Sequence, residues 1–184
     1  MKNDINIFDI STICKMYPTQ FLFRIAKTIS VAAIALMSLL VVVGNTTDYI
    51  TNYQFVQHVM KMDTIFPGSS LAYRSVNSIF LYHAGYILFI TMEALMTFFC
   101  IKGTWIMSGN LKGSAALFHA SKNWAIAGIT VGIIIWFLGF EVIGGEWFAM
   151  WQSHIWNGLG AAERIVGFLV LVLILLHLKE DELN

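Results

Sequence analysis

Four stretches of the chain stay apolar for long enough to cross a bilayer: about Arg24 to Gly44, Ser78 to Ile101, Trp124 to Ile143 and Ala161 to Leu178. A hydrocarbon core of about 30 Å needs roughly 20 apolar residues, each rising ~1.5 Å in a helix. Lipid offers nothing to a backbone amide, so each run must satisfy its own hydrogen bonds and is predicted as a helix. The runs are also too long for the alternating segments of about 10 residues that build porin-type barrels. The connections are short and the two halves show no internal repeat. The expected fold class is therefore all-α: a polytopic membrane protein in which residues 1–184 form a single domain, a bundle of four transmembrane helices.

Two connecting segments carry a pattern of their own. Between the first and second spans, Phe55, Val56, Val59, Met62 and Phe66 recur one, three and four residues apart, which places them on one stripe of a helix. Thr47 or Asp48 is expected to cap its start, and Pro67-Gly68 to end it. The stripe predicts an amphipathic segment resting on the bundle or the membrane surface like a lid. His58 and Met62, four apart, share a side, with Asp63 adjoining. The other segment reads GGEWFAMWQSHIWNG from Gly144 to Gly158. Gly144-Gly145 is expected to break the third helix, and Trp147, Trp151 and Trp156 suit the headgroup level. An aromatic belt accounts for the tryptophans but not for Glu146, Gln152 and His154 among them.

Composition agrees with lipid as the main solvent, with 58% hydrophobic and 12% charged residues. Lys plus Arg and Asp plus Glu both number 11, so no bulk field recruits nucleic acid, and the position of each charge matters more than the sum. Lys2, Lys15, Arg24 and Lys27 precede or open the first span, Lys102, Lys112 and Lys122 lie between the second and third, and Lys179 follows the fourth. Only Lys61 and Arg74 lie in the first loop, and Arg164 stands at the mouth of the last span. The positive-inside rule then puts both termini in the cytoplasm and the two patterned loops, about Asn45 to Asn77 and Gly144 to Gly160, outside. Cys14 and Cys100 fall on the reducing side or in lipid, where a structural disulfide is not expected. The basic, then apolar N-terminal region reaches Gly44 with no small-residue cleavage site, so it reads as a retained span. Residues 1 to 23, with Ile5, Ile7, Phe8, Ile10 and Ile13, suit an interfacial segment, and the charged tail Lys179-Glu180-Asp181-Glu182 a solvated end.

The stretches TNYQFVQHVMKMDT, from Thr51 to Thr64, and GGEWFAMWQSHIWNG, in the two outward loops of a four-span chain, resemble a bacterial family of predicted small integral membrane proteins catalogued as a domain of unknown function. The resemblance covers nearly the whole chain. It implies a bacterial inner-membrane protein and brings with it no activity, cofactor or catalytic residue.

Candidate chemistry comes from polar groups that are costly in lipid. Glu93 lies inside the second span, about eight residues from its expected inner end, where an acid costs roughly 2.5–3.5 kcal/mol on insertion scales. It is expected to face the bundle interior, neutral or hydrogen-bonded, either as a ligand or proton contact or as packing glue. His83 near the outer end of the second span, Glu141 near that of the third, and Glu146, His154 and Arg164 share one outer layer, to which the lid adds His58 and Asp63. The lid is expected to pack over the Gly144 to Gly158 loop and bring His58, Asp63, His83, Glu146 and His154 near one another. Taken singly, these residues have plain roles, with His83 and His154 as interfacial hydrogen-bonders and Glu141 paired with Arg164. Taken together, imidazole and carboxylate suit zinc, iron or copper, and Met60 and Met62 beside His58 suit copper, but no diagnostic ligand spacing appears. Haem is disfavoured because His119 and His177 sit near the inner face and leave no facing pair of axial histidines at one depth. There is no nucleophile elbow, phosphate loop or dinucleotide fingerprint, and four spans without inverted repeats give a monomeric transporter little room. Two readings follow: an accessory or scaffold component that meets another membrane protein through its outer loops, or a small ligand-binding or redox protein that holds a metal, quinone or lipid headgroup at the outer face.

Overall fold

The computed structural model describes residues 18–179 and 182–183. Cys14, Lys2, Lys15 and most of the expected interfacial segment lie outside them. The chain forms α1 (Thr19–Thr47), α2 (Tyr49–Lys61), a 3₁₀ turn (Ser70–Arg74), α3 (Ile79–Gly109), α4 (Ala115–Ser121) and α5 (Asn123–Ile133). α5 runs on without a break as a π-helix, Ile134–Trp147, and a second 3₁₀ turn (Met150–Gln152) leads into α6 (Leu159–His177). No strand occurs among the described residues. Four helical runs are long and apolar enough to cross a membrane: Thr19–Thr47, Ile79–Gly109, Ala115–Trp147 and Leu159–His177. All four overrun the expected spans at one or both ends, the last by starting at Leu159 rather than Ala161.

Glycines set how closely α3 and α5 approach. A Cβ on Gly103 would lie 2.6 Å from the backbone nitrogen of Ala125, and one on Gly128 would lie 2.5 Å from Cys100 Sγ. Bare backbone at these positions lets two helices meet with dispersion contact alone, the usual basis of association in lipid. Cys100 is a free thiol buried in that seam. Around it, Val31 and Ile34 of α1, Met96 of α3, Ile129 of α5 and Leu169 and Leu176 of α6 form the main core.

At one end of the bundle, here the basic end, buried cations hold backbone carbonyls. Arg24 Nη1 donates to Leu111 O at 3.1 Å and Gly113 O at 2.6 Å. Lys27 Nζ donates to Leu178 O at 3.0 Å and Lys122 Nζ to Leu176 O at 2.9 Å. Carbonyls at a helix C-terminus lack intrahelical donors and carry partial negative charge, so Lys27 and Lys122 stabilise the end of α6, while Arg24 ties down the turn between α3 and α4. The connection expected between the second and third spans is shortened by helix at both ends, since α3 runs to Gly109 and α4 starts at Ala115. Lys102 is helical, with Nζ 3.5 Å from the Trp124 ring centroid, and Lys122 is buried where α4 meets α5. Glu182 accepts from Ala115 N at 3.0 Å, so part of the acidic tail contacts the bundle.

The opposite, lid end corrects three local expectations. Neither Asp48 nor Thr47 caps α2 with its side chain: Asp48 N still bonds Gly44 O at 2.9 Å and Thr47 Oγ1 bonds Val43 O at 2.7 Å. The junction is a kink between two helices in near-continuous winding. α2 stops at Met62, in the left-handed region at φ 55°, five residues before Pro67. Met62 is buried with Phe148 and Ala149, so tertiary packing ends the helix before the Pro-Gly pair is reached, and Phe66 falls off the stripe. Gly144-Gly145 does not break the third span either. The π-helix passes through both, because Gly144 packs under Met150 and Gly145 under Leu159. The run ends at Trp147 and is capped by Phe148, whose N–H reaches Ile143 O at 3.0 Å, the i→i−5 bond of a π turn.

Candidate functional site

The lid does pack on the third loop. Thr64 Oγ1 and Ser153 Oγ share a hydrogen bond of 2.8 Å, and Phe66 N donates to Gln152 Oε1 at 3.2 Å. The His58 ring stacks on Trp156 at 4.5 Å and 6°, and Phe55 meets the edge of the same indole at 6.2 Å. Both patterned segments therefore form one cover over the lid end.

The ionisable residues of that end do not converge. His58 Nδ1 lies 2.9 Å from both carboxylate oxygens of Asp63, so this pair closes on itself beside Trp156. An ionised carboxylate only accepts, so the imidazole N–H is on Nδ1. His83 belongs to a different layer: Nδ1 is 2.8 Å from Tyr49 Oη, and the ring stacks on Tyr53 at 4.2 Å. His154 is exposed, with its ring 6.3 Å from that of Phe66. Glu146 is exposed and contributes its backbone carbonyl to Arg74 Nη1 at 3.1 Å, while the guanidinium sits 5.1 Å from the Trp147 ring. Glu141 and Arg164 do not pair, since His58–Asp63 is the one ion pair formed between described residues. Among the described residues, no three of His, Cys, Asp and Glu are grouped as metal ligands would be.

What lies beneath the cover is a cavity of about 450 Å³. Its roof is α2, through Asn52, Phe55, Val56, Val59 and Met60, and its walls come from α3, the π-helix and the start of α6. Gly139 lets the Phe89 ring lie directly on the π-helix, since a Cβ there would sit 2.8 Å from that ring. The rings of Phe89 and Phe140 meet edge to face at 5.6 Å. Leu88 and Ile143 line the cavity while remaining 62% and 45% exposed, so the wall between α3 and the π-helix is open to the surroundings of the bundle.

Glu93 stands on the cavity wall, midway along α3 and 4% exposed. Asn45 Nδ2 donates to its Oε2 at 2.7 Å, and Tyr86 Oη donates to Asn45 O at 2.9 Å. Oε1 has no hydrogen-bond partner among the described residues. Asn45 is near the lid end of α1, so Glu93 belongs to the lid half of the bundle, farther from the basic end than its sequence position within an expected span ending at Ile101 implied. The sequence reading singled out Glu93 but missed Asn45, the aromatic lining (Tyr86, Phe89, Trp136, Phe140) and the π register. One signal was available, because Tyr49/Tyr53 and Tyr82/Tyr86 are each spaced four apart and so mark two facing aromatic stripes.

Chemically, the arrangement offers a space of small-molecule size, within the usual ~300–1,000 Å³, that is apolar almost throughout and has one convergent polar pair. Long π-helical stretches are rare, and π turns concentrate at functional sites. Here 14 residues of π-helix form a wall of this cavity. No curated protein and no solved structure matches the chain. A family model matches residues 23–179, and on that match the chain belongs to the family described as predicted small integral membrane protein (DUF2165).

Proposed function

We propose that this protein binds a small lipid-soluble molecule in the cavity beneath its lid, with the ligand's polar end at Glu93 and Asn45. The observation that carries the reading is the coincidence of a rare π-helical wall with a buried, half-satisfied carboxyl group on one apolar cavity. An acid in a membrane span is expensive and needs a reason. Packing glue would have both oxygens engaged by neighbouring helices, whereas Glu93 leaves Oε1 to the cavity. The open wall at Leu88 and Ile143 provides a route for a ligand already dissolved in the bilayer. The family resemblance implies a bacterial inner membrane, and the basic-residue asymmetry supports both termini in the cytoplasm and the lid outside, the chain working as one helical domain.

The test is to purify the chain in a neutral detergent, extract it with organic solvent and identify bound small molecules by mass spectrometry, alongside an absorption spectrum and metal analysis. A lipid-soluble compound near one per chain is expected, lost when Ala161→Trp fills the cavity. The same extract from wild type and A161W, with no enriched compound, would refute the reading.

A second reading, an accessory subunit that meets a membrane partner through its lid end, draws on Trp147 and Trp151, which are half-exposed on either side of the cover. Photo-crosslinking from position 151 that gives one discrete protein adduct favours it, and adducts with lipid alone favour an aromatic belt.

A further inference from the structure

We propose that the ligand of the lid-end cavity is a hydrophobic cation, such as a lipophilic ammonium or phosphonium; the inference rests on reading that cavity as a ligand site. Charge complementarity is the first ground. Among the lining residues one, Glu93, is acidic, and none is Lys, Arg or His. The His58 imidazole is engaged by Asp63 and Trp156, and that of His83 by Tyr49 and Tyr53. Arg74 is committed to the carbonyl of Glu146 and the face of Trp147, and Arg24, Lys27 and Lys122 bind backbone carbonyls at the basic end of the bundle. An anionic headgroup, whether phosphate or fatty carboxylate, would meet a carboxyl group and no cation, with little dielectric screening.

The aromatic wall is the second ground. Phe55, Tyr86, Phe89, Trp136, Phe140 and Phe148 all line the space. Ring faces attract a cation through their quadrupole, more strongly where water is excluded, and aromatic cages recognise quaternary ammonium on this basis. A neutral ligand gains burial and ring stacking from these faces but not the attraction of a charge to the ring quadrupole. A strongly hydrated metal ion would lose its water and find one carboxylate, which is too few ligands. A diffuse cation on an apolar body loses little hydration, partitions into the bilayer, and reaches Glu93 through the open wall at Leu88 and Ile143. Asn45 holds one carboxyl oxygen and leaves the other for the cation.

Three triphenyl probes of closely similar shape separate charge from burial: methyltriphenylphosphonium, anionic methyltriphenylborate, and neutral triphenylphosphine oxide, each titrated against the full chain in neutral detergent by calorimetry. The phosphonium is expected to bind at least roughly ten-fold tighter than the phosphine oxide, about 1.4 kcal/mol, with the borate weakest. Glu93→Gln, checked by thermal unfolding to be folded, is expected to bring the phosphonium down to the phosphine oxide's affinity. Equal affinities for cation and neutral probe, or an unchanged preference in E93Q, would overturn the cation inference and leave the ligand site standing. If none of the three binds wild type more tightly than A161W, both the inference and the site fall.

Discussion

Glu93 and Asn45 show how one hydrogen bond fixes both the depth and the facing of a costly group. Replacing Asn45 with Leu keeps most of the side-chain volume and removes the donor, leaving a buried acceptor unmet at a cost of about 1–3 kcal/mol. Asn45→Leu is therefore expected to lower the thermal midpoint in detergent, whereas Glu93→Gln, which still accepts through its amide oxygen, is expected to shift it less. Glu93→Lys would bury a cation with no other acidic residue lining the cavity to pair it, and should prevent accumulation of folded protein. A midpoint for Asn45→Leu equal to wild type would mean that the 2.7 Å bond contributes nothing. The glycines give a second comparison at this scale. Gly103→Ala would drive a methyl into the Ala125 backbone, which cannot yield as a flexible side chain would, and overpacking of this kind costs roughly 1–3 kcal/mol. Gly167→Ala on α6 meets nothing within 4 Å and should be neutral or slightly stabilising. Measuring both melts in one detergent checks the pair, and equal loss from the two would show that the α3–α5 seam is not as tight as described.

For the lid, the Thr64–Ser153 bond just beyond α2 sets a precise expectation. With hydroxyl oxygens 2.8 Å apart, cysteines at both positions are well placed for a disulfide, whose Cβ atoms want about 3.5–4.5 Å. Thr64→Cys with Ser153→Cys, on a background lacking Cys14 and Cys100, is expected to cross-link under mild oxidation, seen as lost maleimide reactivity, while Asp63→Cys with Ser153→Cys cross-links less. Failure of the first pair would mean that the lid stands off the loop. The four spans were legible as elements because a bilayer demands about 20 apolar residues whatever the tertiary contacts, and the lid was legible because its stripe follows the helical period. The π-helix was not legible, since its i→i+5 register depends on what Gly139, Gly144 and Gly145 pack beneath. The outer-layer residues were legible only in part. Counting residues along a span gives depth but not azimuth, so His58, His83, Glu146 and His154 were placed in one layer although they face different neighbours. Asn45 and Glu93 are 48 positions apart, and nothing local links them.

In the whole molecule, the two ends differ in kind. Arg24, Lys27, Lys102, Lys112, Lys122 and Lys179 gather at the end where α1 begins and α6 finishes, against Lys61, Arg74 and Arg164 at the lid end. Because Lys27 bonds Leu178 O and Lys122 bonds Leu176 O, both ends of the four-span run are tied to the same side of the bundle. Translocating such a cluster of bases is resisted during insertion, so the basic end should remain in the cytoplasm and the cavity should lie in the outer leaflet's half of the membrane. Single cysteines on the background lacking Cys14 and Cys100 test this. Lys112→Cys lies in the turn after α3, and Gly160→Cys lies at the lid end with nothing within 4 Å of its new side chain. A membrane-impermeant maleimide added to spheroplasts is expected to label Gly160→Cys at once and Lys112→Cys only after permeabilisation. The reverse pattern would invert the protein, place the lid in the cytoplasm and turn the cavity's route toward the inner leaflet.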